Sequence, residues 1–375
     1  MSKIKKIIYS IATLSGTTVG VGIFSLPYIT SKVGFLVMAG YFFILGIIVI
    51  LIHSLFGKLA LATPDFKRLP GFAKFYLGKW GERIASVSAI LGTFGVILAY
   101  FIVGGEFLQA LLSPILHIES NLFYTLLYFT AGAALIFFGI KIIAQIEFWG
   151  LVSFFWVLIV IFIRARPIIN PEYFVPVASD LNPFTFFLPY GAILFSLWGS
   201  TLIPEVEEML GEDKKLLPTI IPIATLIPIG IYLFFVYLIL GITGPATTES
   251  ALTGLQNYFD GALVSLALFL GILTTFTSFI TLGLTLKRVF WYDLKLNKNL
   301  AWAITCFPPL IIFLLGLKSF ITVISLAGGL MLGIEGTLIL LMYQKTQSKK
   351  ALFLTLPLIL LFLFGFFIEL ISFLK

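Results

Sequence analysis

The sequence predicts an all-α polytopic membrane protein with eleven transmembrane helices, and three observations carry that prediction. First, 60% of the 375 residues are hydrophobic and only 11% charged, with a mean hydropathy of +1.11, whereas soluble domains average about 25% charged. Second, apolar runs long enough to cross a core about 30 Å thick, some 20 residues each, recur along the whole chain. Third, the basic residues favour one side of the spans that those runs define. The runs lie near 7–31, 34–57, 84–113, 121–140, 143–163, 185–209, 217–241, 261–286, 300–316, 319–343 and 351–373.

With the N-terminus in the cytoplasm, segments 1–6, 58–83, 141–142, 210–216, 287–299 and 344–350 face inward. Of the 24 Lys and Arg residues, all but Lys32, Arg164, Arg166, Lys318 and Lys375 lie nearer that face. The positive-inside rule therefore predicts a cytoplasmic N-terminus and a C-terminus outside a plasma membrane, with compact loops that suit a bacterial inner membrane. The apolar N-terminus is expected to be retained, since no small-residue cleavage site follows it. The net charge of +7 serves orientation, so nucleic acid is not an expected partner. A single cysteine, Cys306, cannot form an internal disulfide.

The first span holds the weakest helical stretch, SGTTVGVGIFSLPY over Ser15 to Tyr28, with Gly16, Gly20, Gly22, two threonines and Pro27. Either another helix packs against these glycines, or the helix is broken and its freed backbone groups bind something. The second span carries His53 near its inner end, where it is expected to be interfacial. Leu69 to Arg83 alternates Phe72, Phe75, Tyr76 and Trp80 with Lys74, Lys79 and Arg83, which predicts a cytoplasmic interfacial helix. The third span carries Glu106, the fourth is plain, and the fifth has Glu147 near its inner end. Residues 164 to 184, stiffened by Pro167, Pro171, Pro176 and Pro183, form the longest outside linker.

That linker divides the chain into a first five-helix repeat (1–170), a linker (171–184), a second five-helix repeat (185–343) and an extra eleventh helix (344–375). An odd number of spans per half inverts the second half relative to the first. In the sixth span Gly199 precedes Pro204 by five residues, as Gly22 precedes Pro27. Interrupted spans at matching positions of two halves point to a transporter site near the midplane. Glu205, Glu207, Glu208, Glu212 and Asp213 follow at its inner end, with Lys214 and Lys215 as candidate pairs. Thr243 to Asp260 is a polar outside segment, beginning with Gly-Pro, expected to form a short helix over an outer vestibule.

Candidate substrate-binding residues follow from the two interruptions. Amides of Gly20, Val21 and Gly22 at a half-helix N-terminus suit a carboxylate, and carbonyls around Thr17 and Thr18 suit an ammonium. Phe195, Ser196, Trp198, Gly199 and Ser200 would line the opposite wall. The competing reading of Gly16 and Gly20 is a packing face, and that of Phe195 and Trp198 is ordinary core or lipid contact. In the eighth span Thr274, Thr275, Thr277, Ser278 and Thr281 either back-bond to their own helix or supply oxygens to a sodium ion. Glu106 and Glu335 are ionisable groups at membrane depth and candidate proton relays; the competing readings are that Glu106 lies near the outer water surface and that Glu335 caps or pairs structurally. No P-loop, nucleophile elbow or His-rich metal set appears, so neither an enzyme nor a self-contained ATP-driven pump is predicted. No cofactor is expected beyond a coupling sodium ion or proton, and no metal beyond that sodium.

GTTVGVGIFSLPY, YLGKWG, YFIVGGEFL and FSLWGSTLIPEVEEM resemble the amino acid/auxin permease group. The likeness is greatest to its bacterial aromatic and hydroxy amino acid permeases, within the amino acid-polyamine-organocation superfamily. The resemblance covers nearly the whole chain. It implies a LeuT-like inverted five-plus-five repeat with broken helices 1 and 6, and secondary active transport with backbone-held substrate. Thr18, Gly20, Val21, Gly22 and Phe195 would then be substrate contacts, and Gly16, Val19, Thr277 and Ser278 coupling-ion contacts. In sodium-coupled relatives with two ion sites an Asn follows the second glycine of GxG. Here that position is Ile23, which departs from the first of those sites. The expected function is import of a neutral or aromatic amino acid with a proton or sodium. The alternatives are a non-transporting amino-acid receptor on the same fold and, less in keeping with polar residues gathered at two breaks, a channel. Lipid and substrate are the expected partners; the sequence gives no oligomeric state.

Overall fold

The computed structural model describes residues 3–65, 67–139, 143–175, 182–259, 261–346 and 350–374. Pro176, Asp260, Lys375, the segment 141–142 and residues 347–349 of the segment 344–350, used above, lie outside the described residues, as does the side chain of Glu147. Every regular element among the described residues is helical, as expected where backbone polar groups must be satisfied within the segment.

The first apolar run is α1 (Lys3–Thr18), a 3-10 turn (Val21–Ser25) and α2 (Leu26–Val33), bent by 48° between Thr18 and Val21. Next come α3 (Phe35–Ala62), α4 (Leu69–Leu77), α5 (Lys79–Leu116), α6 (Asn121–Phe138) and α7 (Ile143–Ala165). α8 (Pro183–Leu197) stops at Trp198 and Gly199; a 3-10 turn (Ser200–Leu202) and α9 (Ile203–Leu210) follow. Then come α10 (Leu217–Thr243), α11 (Gly261–Arg288), α12 (Lys298–Leu314) and α13 (Phe320–Leu326). A π-helical stretch (Ala327–Leu332) joins α13 to α14 (Gly333–Thr346), and α15 (Lys350–Leu374) ends the chain. Among the described residues seven helical stretches are long and apolar enough to cross a membrane, eight with the bent α1–α2 pair.

Two sequence expectations change in shape. The helix over Leu69–Arg83 is split at Gly78, whose φ of +79° ends α4. Trp80 and Arg83 therefore belong to α5, which is 38 residues long, about 57 Å at 1.5 Å per residue, and outruns the membrane core. The Thr243–Asp260 segment forms two short 3-10 turns, Gly244–Ala246 and Leu252–Asn257, the second tied to α5 by Gln256 Nε2 donating to the Ala110 carbonyl.

α5 and α11 pack together at the centre, flanked by α6 and α7, while α10 packs on α1 and α3, and α8 on the π stretch. Such association rests on close contact, because lipid is as apolar as leucine. The YFIVGGEFL motif shows this: a Cβ on Gly104 would enter the Tyr128 ring, and one on Gly105 would lie 2.6 Å from Thr125 Cα. The two glycines let α5 and α6 meet backbone to side chain. At the end of α6, buried Lys287 of α11 donates to the carbonyls of Ile136 (2.8 Å) and Phe137 (3.0 Å), capping oxygens that a helix terminus leaves unpaired.

Candidate functional site

The α1–α2 interruption arises where Gly20 takes an extended backbone (φ −114°, ψ −156°), a conformation that stops the α-helix and that glycine adopts without a side chain to place. The α8–α9 interruption arises at Trp198, which is extended (φ −79°, ψ 113°), and at Gly199. The two interruptions cross, each glycine seated on the other segment. A Cβ on Gly22 would collide with Ser196 Oγ and lie 3.1 Å from Phe195 Cδ1; one on Gly199 would lie 3.0 Å from Thr18 Oγ1 and 3.2 Å from Leu14 Cδ1. Tyr232 of α10 binds the crossing together. Its hydroxyl lies 2.7 Å from the Thr18 carbonyl oxygen and 2.8 Å from that of Ser196, sharing one proton between the ends of α1 and α8.

Around the crossing lies a cavity of about 250 Å³. Thr17, Thr18, Gly20, Val21, Gly22, Phe195, Ser196 and Trp198 line it, together with Gly16, Val19, Ser278 and Glu335. Most of the residues drawn from both interruptions and from the eighth span thus share one space. A second cavity of about 390 Å³ adjoins it through Gly16, Thr17, Val19, Gly20 and Val21 and runs between α1, α7 and α11, past Ala12, Thr13, Phe154 and Thr281. Gly16 has open space where a Cβ would project, so it faces the cavities and not a packed helix. On the α2 side Phe24 packs edge-on against Phe107, Phe154 and Phe235, with centroids 5.0 to 6.0 Å apart. Ile23 is buried.

Some candidates are placed differently from expectation. Gly199 lines neither cavity; it is a contact between the two interrupted segments. Thr277 also lines neither: its hydroxyl back-bonds to the carbonyls of Leu273 and Thr274, 3.0 Å each. Thr274 and Thr275 line the larger cavity while also back-bonding to their own helix. The Gly20 amide donates to Thr18 O at 2.9 Å and the Val21 amide to Tyr100 Oη at 3.3 Å. Together with Tyr232, the Gly20 amide occupies both lone pairs of the Thr18 carbonyl. Glu106 is not at the crossing. It lines a separate cavity of about 500 Å³ with Gln109, Asn121, Glu249 and Gln256, near the 3-10 turns after α10.

Glu335, by contrast, reaches the α8 interruption: its Oε2 accepts from Trp198 Nε1 (3.0 Å) and from Ser200 Oγ (3.3 Å). The opposite side of the interruption is held by His53. It is buried, not interfacial; its Nε2 accepts from the Gly199 amide at 3.4 Å and its ring meets Trp198 edge-on at 5.3 Å. Tyr100, Tyr232 and a second buried carboxylate, Glu369 of α15, went unmarked by the sequence patterns. Glu369 lies where a Cβ on Gly191 of α8 or on Gly329 of the π stretch would project. Their signal was available only as polar tips within apolar spans.

At the α1 and α9 ends Asp213, Glu207 and Glu205 of the acidic cluster are paired. Lys3 and Lys6 reach Asp213 at 3.9 and 3.7 Å, Lys214 reaches Glu207 at 3.3 Å, and Arg68 Nε stands 4.0 Å from Glu205. α1 is thereby tied to the connection between α9 and α10.

The arrangement offers a small molecule two carbonyl-bearing helix ends, a helix start and aromatic walls and, among the described residues, no group of metal-ligating side chains. Two solved structures share the fold. MhsT in complex with L-phenylalanine aligns with a TM-score of 0.62 at 19% identity over 97% of this chain and 97% of that one. Mhp1, a nucleobase-cation-symport-1 family transporter in a closed conformation with bromovinylhydantoin bound, aligns at 0.60 and 12% identity over 97% and 90%. No curated protein matches the chain significantly. The model of the tryptophan/tyrosine permease family matches residues 3–372, and the chain, a multi-pass membrane permease and not an enzyme, belongs to that family.

Proposed function

We propose that the protein is a secondary active transporter that imports a neutral or aromatic amino acid, driven by a proton or sodium gradient. The observation that carries this is the single cavity walled by both interrupted segments. The substrate carboxylate would face the start of Val21–Val33 at Gly20 to Gly22, its ammonium the carbonyl ends of α1 and α8, and its side chain Phe195 and Trp198. The phenylalanine-bound neighbour and the family name favour an aromatic substrate.

The same reading assigns eleven spans. The apolar stretch Pro183–Ala246 is 64 residues long, about 96 Å as helix and too long for one crossing. Divided at α8–α9 and α10, and with the shorter helices Val152–Ala165 and Lys298–Leu314 added, it completes an inverted pair of five-span repeats and a last helix. The reciprocal seating of Gly22 and Gly199 supports that pairing. With the N-terminus cytoplasmic, the Phe24 ring cluster lies outward of the site and the cavity between α1, α7 and α11 leads inward, so the conformation reads as inward-facing. Sodium, in this scheme, would sit among Gly16, Val19 and Ser278. Uptake of labelled L-tryptophan, L-tyrosine and L-phenylalanine into proteoliposomes, with sodium and pH gradients imposed separately, tests the proposal. Accumulation under one gradient is expected; saturable binding without accumulation under either would establish a receptor instead.

A further inference from the structure

We infer that Glu335 is the proton-binding group that couples the gradient to substrate, and that it acts by holding or releasing the α8 interruption. The inference rests on the transport reading for its substrate half and on geometry alone for its proton half.

Glu335 is buried at 3% exposure, lines the crossing cavity and accepts two hydrogen bonds on Oε2, from Trp198 Nε1 and Ser200 Oγ. Both donors belong to the short non-α-helical segment that joins α8 to α9. The other side of that segment is gripped by His53, whose Nε2 accepts the Gly199 amide proton. A nitrogen that accepts carries no proton, so His53 is held as the neutral tautomer with its proton on Nδ1, and that buried Nδ1 has no hydrogen-bond partner. His53 is therefore a positioning residue, and Glu335 is the member of the pair free to change charge.

Among the described residues no cation pairs with the carboxylate. The elements packed against α14 are α3, α4, α5, α15 and the π stretch. Among the described residues they place His53 beside the interruption, and Glu369 of α15 contacts Gly191 and Gly329 instead. None of the described salt bridges involves Glu335. A zwitterion entering the same cavity brings a carboxylate whose repulsion by an ionised Glu335 opposes the attraction of its ammonium, in a space of about 250 Å³ with low-dielectric walls. A proton taken from the aqueous phase forms an O–H bond on Glu335, cancels that repulsion and weakens the two charge-assisted bonds to Trp198 and Ser200. Substrate and proton then favour each other's binding reciprocally, and the freed segment lets α8 move against α9. The proton leaves to the opposite side when the cavity reopens there.

The test is a pair of titrations on the full chain in proteoliposomes between pH 5 and 8. Without substrate, the emission of Trp198, assigned by difference with Trp198→Phe, should change with pH in the wild type and become pH-independent in Glu335→Gln. Flat wild-type emission, or an unchanged titration in Glu335→Gln, overturns the proton site. With L-phenylalanine or L-tryptophan as probe, wild-type affinity should weaken about tenfold per pH unit above the titration, the limit for one coupled proton. Glu335→Gln should keep the low-pH affinity throughout. A folded Glu335→Gln protein that binds neither probe at any pH would make Glu335 an ammonium partner and overturn the inference. If Trp198 titrates through Glu335 while the wild type binds no amino acid, the proton site stands and the transport reading falls.

Discussion

Removing one oxygen atom at Tyr232 should uncouple the two interrupted segments. In the wild type its hydroxyl, on a fully buried side chain, lies between the Thr18 and Ser196 carbonyls at 2.7 and 2.8 Å. Tyr232→Phe keeps the ring, and therefore its contact with Phe42 at 6.1 Å, but leaves the Ser196 carbonyl without this donor and the Thr18 carbonyl with only the Gly20 amide. A buried acceptor stripped of its donor costs about 1–3 kcal/mol. If the bridge exists in one conformation and not in its alternate, that cost shifts the equilibrium between them by a factor of about 5 to 150. Equilibrium binding of L-phenylalanine or L-tryptophan to the purified protein reads the shift as a change in Kd, and initial uptake rates read it as slowed turnover. Thermal unfolding in the same samples separates a shifted equilibrium from general instability. Wild-type Kd and uptake in a Tyr232→Phe protein would refute the bridge.

Three further outcomes follow from the geometry. Gly22→Ala drives a methyl group into Ser196 Oγ and against Phe195; at about 1–3 kcal/mol for overpacking affinity should fall at least about fivefold, and Ser196→Gly in the same chain should recover part of it in a double-mutant cycle. Lys287→Met removes two charged hydrogen bonds from the end of α6, each worth about 1.5–3 kcal/mol, so the apparent melting temperature should drop while Kd stays unchanged; a change in Kd with no loss of stability would contradict the capping role. Glu106→Gln, in a cavity apart from the crossing, should leave the proton-to-substrate ratio unaltered, and a lost or halved ratio would move the relay there.

The positions of the helices were legible because lipid imposes one rule on every span: about 20 apolar residues with the backbone satisfied within. Boundaries were less so. Apolar content sets where a helix enters lipid and not where it stops, so α3 runs on to Ala62 and α5 begins at Lys79. His53 was expected at the interface for that reason, yet it lies nine residues before the end of α3 and reaches the α8 interruption. The two interruptions were legible because Gly, Pro and Thr stand out against leucine and phenylalanine. Tyr100 and Tyr232 were not, since which of 14 tyrosines faces the crossing depends on helix rotation, fixed by contacts far apart in sequence. The Gly-to-Pro interval marked each break but not the role of its glycines. Gly16 faces open cavity, while Gly22 and Gly199 seat one segment on the other.

Transport by this route requires the amino acid to sit at the crossing of the two interrupted segments. A structure of the protein with L-phenylalanine or L-tryptophan bound decides it directly. Ligand between Gly20–Gly22 and Phe195–Trp198, with its carboxylate toward Gly22 and its ammonium toward the ends of α1 and α8, is the predicted result. Ligand in the separate cavity between Glu106 and Glu249, with the crossing empty, would contradict it.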